Sequence, residues 1–278
     1  MLNMTIGVER YRQIADETAV RIASSGQNWI GFLNVAAQLY KYDYSEQLLI
    51  YAQRPNPTAC ASAEVWNQHM HRYIRRGAKG IALLEGSGES AKVKYVFDIA
   101  DTWGEENART PTHWSFRSEH VRSVSAALQE QFYIPSLGDF AEQLQQIGYS
   151  KAVAYYLENQ QDFLKSIADA AVAQYSDYDK GVACINAVAA SITYTLFARC
   201  DLAEKSQFGA EDFTPVLDFN TPQAVSVLGT AVSTISGTVL RSIELAIKQY
   251  ERRLEKDNAS LWPAKLACKG GSVHERTR

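Results

Sequence analysis

The stretch Trp66 to Leu84, WNQHMHRYIRRGAKGIALL, gathers the residue types that hold phosphate. Arg72, Arg75, Arg76 and Lys79 fall within eight residues. Arginine presents a planar fork of donors that matches phosphate oxygens, and lysine a mobile point charge. Gly77 and Gly80 sit among them, and a backbone without Cβ atoms can approach a ligand closely. Ring side chains lie nearby in sequence: Tyr40, Tyr42, Tyr44, Tyr51, Trp66, Tyr73 and Trp103. Aromatic faces stack on unpaired bases, each such contact being worth about 1–3 kcal/mol. The combination supplies the parts of a site for a single nucleic-acid strand. The same residues also suit a solvated hairpin whose charges keep a sheet edge soluble.

Other constellations point less far. His69 and His71 form an HxH pair, but zinc takes three or four ligands and no third lies near in sequence. Asp98, Asp101, Glu105 and Glu106 make a carboxylate-rich strand end. No nucleophile elbow, phosphate-binding P-loop or dinucleotide fingerprint occurs in the sequence, so no enzyme activity and no cofactor are expected.

The elements that must position the basic turn can be read from periodicity. Helical spacing predicts helices over Val8–Ser24, from Trp29 to about Tyr40, and from a cap at Ser45 through Tyr51. Arg54-Pro-Asn-Pro-Thr58 interrupts the chain. Ser62 is placed to cap a short helix carrying Val65 and Trp66. Tyr73–Ile74, Gly80–Glu85 and Lys92–Ile99 read as strands of one small antiparallel sheet. In the last, Val93, Tyr95, Phe97 and Ile99 share one face. After the polar segment Gly104–Thr112 the pattern is helical: Ser118–Gln131, Ser136–Ile147, Ser150–Tyr175 and Asp177–Arg199. A loop follows over Phe208–Asn220. Thr221-Pro222 then opens a helix from Gln223 to about Ile235, and a last helix spans about Gly237 to Lys256. Its stripe Leu240, Ile243, Ile247, Tyr250 and Leu254 suits core packing or a docking face.

The expected fold is therefore α+β: N-terminal helices on a small antiparallel sheet (residues 1–108), then an all-helical bundle (109–262) and a disordered tail (263–278). The chain has 278 residues, 46% hydrophobic and 21% charged, which is ordinary globular composition. A formal net charge of −3 confines any polyanion site to a local patch. Cys60, Cys184, Cys200 and Cys268 are scattered singly, as in reduced cytosolic proteins. No run approaches eighteen uninterrupted apolar residues, so no membrane span is expected.

Residues 29 to 103 resemble the N-terminal domain of the ArdC-type antirestriction proteins, which also fronts large proteins of conjugative elements. The resemblance is carried by SEQLLIYAQRP, TACASAEVW, RYIRRGAKGIALL and KYVFDIADTWG, in that order. It implies binding of single-stranded DNA, with Arg72, Arg75, Arg76 and Lys79 facing phosphates and Gly77 and Gly80 shaping the turn. It also implies base or sugar contacts from Gln53 and Asn56, with Tyr51 and Tyr73 as stacking candidates and Trp66 as an anchor beneath the turn. The family's metallopeptidase half is marked by HExxH, which this sequence lacks, so that role is not carried over. The implied function is a cytoplasmic, non-enzymatic single-stranded DNA binder of a mobile element, in antirestriction or protection of transferred DNA. The other reading is an interaction module that docks a helicase, methylase or restriction subunit. The helical half also offers a surface for a homo-oligomer.

Overall fold

The computed structural model of the protein describes residues 2–267 except Ser87, Thr112, Ser136 and Leu137. The N-terminal third opens with helices α1 (Leu2–Ile22), α2 (Gly26–Gln38) and α3 (Tyr44–Gln53). Ser25 caps α2 through the Asn28 amide. Asp43, rather than the expected Ser45, caps α3 and closes a capping box with Glu46; the Ser45 hydroxyl donates to Asp43 instead. That reciprocal bonding satisfies two orphan groups at once, which a serine inside the first turn cannot do.

The strands form two sheets rather than one. β1 (Cys60–Ala61), β4 (Lys92–Asp98) and β3 (Ile81–Glu85) make a three-stranded antiparallel sheet in that order. β2 (Arg72–Ile74) does not join it. It pairs with β5 (Thr102–Gly104) as a separate two-stranded ribbon. The buried face of β4 also differs from the alternation expected. Val96 and Asp98 are buried, whereas Tyr95 is 52% exposed. The inner face is decided by the close packing of α3 on β3, and Tyr95 and Phe97 lie on the other side, across Gly80.

The remainder is helical: α4 (Val121–Phe132), α5 (Phe140–Ser166), α6 (Asp177–Cys200) and α7 (Pro222–Ala267). The fold is thus α+β, as the pattern implied. Two expected helix breaks do not occur. α5 runs through Gly148 and departs from helical geometry only at Asn159. α7 runs straight through Ser236–Gly237 for 46 residues and extends into the segment expected to be a disordered tail; residues 268–278 lie outside the described residues. Gly237 is a packing site: a Cβ there would meet the Tyr40 carbonyl oxygen at 2.9 Å. The expected loop after α6 contains a 3-10 helix, Ala210–Asp218, pinned by the buried Phe213, Val216 and Phe219.

The division expected near residue 108 does not separate two cores. Ile22, Trp29, Phe32, Leu33 and Tyr44 from the N-terminal helices share one continuous apolar cluster with Phe197, Leu228, Leu240 and Ile247. Trp29 seals it by donating from Nε1 to Ser191 Oγ of α6 at 2.8 Å, with both groups buried. A smaller cluster of Leu49, Ile50, Ile81, Leu83 and Val96 joins α3 to the three-stranded sheet. Leu240, Ile243 and Ile247 of the α7 stripe are fully buried, whereas Leu254 is 42% exposed. α6 and α7 are long and apolar enough to cross a bilayer, and 67% and 61% of their apolar windows are buried inside this fold.

Candidate nucleic-acid interface

The two-stranded ribbon concentrates the residues that the basic stretch supplied. Tyr73 and Trp103 are cross-strand partners, so their side chains leave the ribbon on the same face. Their ring centroids are 5.2 Å apart and their planes tilt by 36°. Both stay open, Tyr73 at 40% and Trp103 at 44% exposure, which is unusual for two large rings placed side by side. Arg72 lies on the opposite face, where its Nε donates to Thr102 Oγ1 at 2.8 Å.

Beyond β2 the chain turns sharply. The Ala78 amide donates to the Arg75 carbonyl at 3.0 Å, and Gly77 sits at φ 84° with open space where a Cβ would lie. Only glycine takes that backbone without strain. Arg75 is tied back to β5, its amide donating to Asp101 O at 2.8 Å and its Nε to Thr102 O at 3.0 Å. Arg72 and Arg75 thus fix their stems through Nε and leave their terminal nitrogens for a ligand. Arg75, Arg76 and Lys79 are exposed, and none of the four cations forms an ion pair with a described residue. Arg109, also exposed, lies past β5 at the Arg72 end of the ribbon, its amide donating to Met70 O at 2.8 Å. Of the carboxylates that flank β5, Asp101 before it is paired with Arg54, and Glu105 and Glu106 after it are exposed.

Several sequence candidates turn out to be supports. Trp66 is 1% exposed and donates from Nε1 to Phe97 O at 2.8 Å, within a π-helical turn, Val65–His69, that Ser62 caps. Gln53 was expected to contact bases. Its amide instead pairs both ways with the Ala82 backbone, at 2.8 Å and 2.9 Å, extending β3 like an extra strand residue. Asp98 is buried and accepts from the Thr58 and Ala100 amides, while Arg54 bridges it and Asp101. Asp98 and Asp101 of the carboxylate-rich strand end are thus consumed by a structural ion pair, while Glu105 and Glu106 are exposed. His69 and His71 do not share a strand face, because β2 begins only at Arg72 and His71 has a left-handed φ of 52°.

Tyr51 and Asn56 lie apart from the ribbon. With Asn34 and Gln38 they border a groove of about 260 Å³. Tyr51 packs edge-on to Phe32, and Arg21 stands 5.6 Å from its ring. Tyr40 and Tyr44 are buried, and the Tyr42 hydroxyl donates to Cys60 O at 2.7 Å. Of the seven aromatics legible in sequence, the ribbon therefore presents Tyr73 and Trp103.

A second pocket, of about 220 Å³, lies where the three-stranded sheet meets the helical core. The Arg199 guanidinium sits 3.6 Å from the Trp114 ring centroid and donates to Trp114 O at 3.0 Å. The Tyr40 hydroxyl donates to Glu244 and accepts from Trp114 Nε1 at 3.0 Å. Burial alone would push the Glu244 carboxyl up; hydrogen bonds from Lys248, Tyr40 and Lys41 outweigh it and hold the group at about 2. His113, at the rim, is kept below the usual imidazole value by burial and then by Arg199 and Lys41, which favours the neutral ring. Sequence reading missed this pocket because its residues come from six separate stretches of chain.

Compared with family models, with curated proteins and with solved structures, the chain finds no match.

Proposed function

We propose that the protein is a non-enzymatic binder of single-stranded DNA that works from the β2–β5 ribbon. The observation that carries this reading is the open Tyr73–Trp103 ring pair, flanked by Arg75, Arg76 and Lys79 with no acidic partners among the described residues. Rings stack on splayed bases of any sequence, and the cations neutralise the backbone beside them. In duplex DNA the bases are already stacked, so the ring pair favours an unpaired strand. The resemblance of residues 29 to 103 to the ArdC-type N-terminal domain adds a setting: a mobile element whose transferred strand is coated or shielded.

The test is fluorescence anisotropy with a labelled 12-mer. Tyr73→Ala with Trp103→Ala should weaken single-strand binding at least tenfold, given about 1–3 kcal/mol per stacked base, and leave weak duplex binding nearly unchanged. Arg75→Ala with Arg76→Ala should weaken both. Retention of wild-type affinity by both double variants at low salt would sink the proposal.

A further inference from the structure

We infer that the pocket beside the ribbon receives one nucleobase turned out of the bound strand, an inference that rests on the single-strand reading above. Its location comes first. Met70 lines the pocket and leads directly through His71 into β2. Pro111 lines it too, two residues beyond Arg109, whose amide is bonded to Met70 O. The pocket mouth and the foot of the ribbon thus share a wall. A strand held on Tyr73, Trp103 and the cationic turn passes beside the opening.

Size and lining then select the occupant. At about 220 Å³ the pocket is smaller than the roughly 300–1,000 Å³ typical of drug-sized ligands, and suits a single ring system. Leu39, Val65, Trp66 and Met70 make apolar walls, and Trp114 with its stacked Arg199 makes a flat one. Tyr40, Lys41, Tyr42, Arg199 and Glu244 also line it, but their polar groups are bonded within the fold, which leaves two two-sided groups at the rim. The Gln38 amide offers a donor and an acceptor, and so does a neutral His113 ring. Neither side chain makes a hydrogen bond to a described residue. A largely apolar slot with one flat wall, and with paired donors and acceptors at its rim, matches the hydrogen-bonding edge of a base. Gln38 also borders the groove of Asn56 and Tyr51, which gives the flanking nucleotide a continuation.

Abasic scanning tests this with the full chain. A labelled 12-mer carries one abasic nucleotide, moved position by position, so the phosphate count stays constant. Wild type should show a roughly tenfold loss at the position served by the pocket. Ala61→Phe, which fills the pocket from β1, should erase that positional loss, whereas Tyr73→Ala should leave it in place. Identical scans for wild type and Ala61→Phe would overturn the inference while leaving the ribbon reading intact. Failure of wild type to bind the intact 12-mer would overturn both. A 4-thiothymidine oligonucleotide needs no variant: adducts on Met70 or Trp114 support the pocket, and adducts confined to Tyr73 and Trp103 refute it.

Discussion

Neutralising the turn gives the most quantitative prediction. Arg72, Arg75, Arg76 and Lys79 form no ion pair with any described residue, so each is free to displace one condensed counterion. For single strands each neutralised phosphate contributes about −0.7 to the slope of log affinity against log salt, and four contacts give about −2.8. Raising salt from 50 to 200 mM should then weaken wild-type binding about fifty-fold. Replacing Arg75, Arg76 and Lys79 with glutamine leaves one contact, a slope of about −0.7 and a loss of only about threefold. Stability should change little. The three side chains are exposed, and the one hydrogen bond lost, Arg75 Nε to Thr102 O, is worth about 0.5–1.5 kcal/mol. The assay is anisotropy titration at four salt concentrations, with thermal melts to confirm folding. Equal slopes for wild type and the triple variant would refute the assignment of phosphate contact to this turn.

Two predictions concern the frame. A Cβ added at Gly229 of α7 would stand 2.0 Å from the fully buried Tyr44 ring of α3, so Gly229→Ala should cost about 1–3 kcal/mol despite alanine's better helix propensity. Calorimetry should show one transition moved down as a unit; two transitions with only one shifted would refute the shared core. Glu244, held at about 2, adds stability that is fully present above the ordinary carboxyl value of 4.5 and is lost as pH falls through its folded value. The half-exposed Lys41 and Lys248 screen the effect to about 1–2 kcal/mol. Urea midpoints should therefore fall more between pH 7 and pH 3 for wild type than for Glu244→Gln, and parallel pH profiles would contradict the clamp.

The α+β class and most helices were legible because apolar residues recur at helical spacing over long stretches. The turn was legible from Gly77 and the cations around it. What sequence alone hid was pairing. β2 reads as the first strand of a three-stranded sheet, but its partner Thr102–Gly104 is three residues long and carries no alternation of its own. Gln53 looked free to contact a ligand because nothing local shows that its amide would complete the Ala82 backbone. The glycines at 148 and 237 read as helix breaks because propensity is local, whereas the space they open is filled by residues far along the chain: Thr193 and Tyr40. The segment boundary at Gly104–Thr112 is real as a change of secondary structure. It fails as a domain boundary because Trp29 of α2 bonds Ser191 of α6 and Tyr44 of α3 packs against Gly229 of α7.

The ribbon cannot be separated from what holds it. Two strands of three residues are marginal alone, so the spacing of Tyr73 and Trp103 depends on anchors outside the pair. The anchors are the buried Thr102, which bonds Ile99 O and takes Arg72 Nε, and the Asp101 carbonyl, which takes the Arg75 amide. Arg54 locks that same Asp101 to the buried Asp98. Arg72 and Arg75 are therefore both tethers and charges, whereas Arg76 and Lys79 are charges alone. A lysine keeps the charge but cannot span from Nε to a second nitrogen, so charge and geometry are divisible at Arg72 and Arg75 and not at Arg76. The rigid stacking face and the cationic turn are one device because the same guanidinium groups build the first and charge the second.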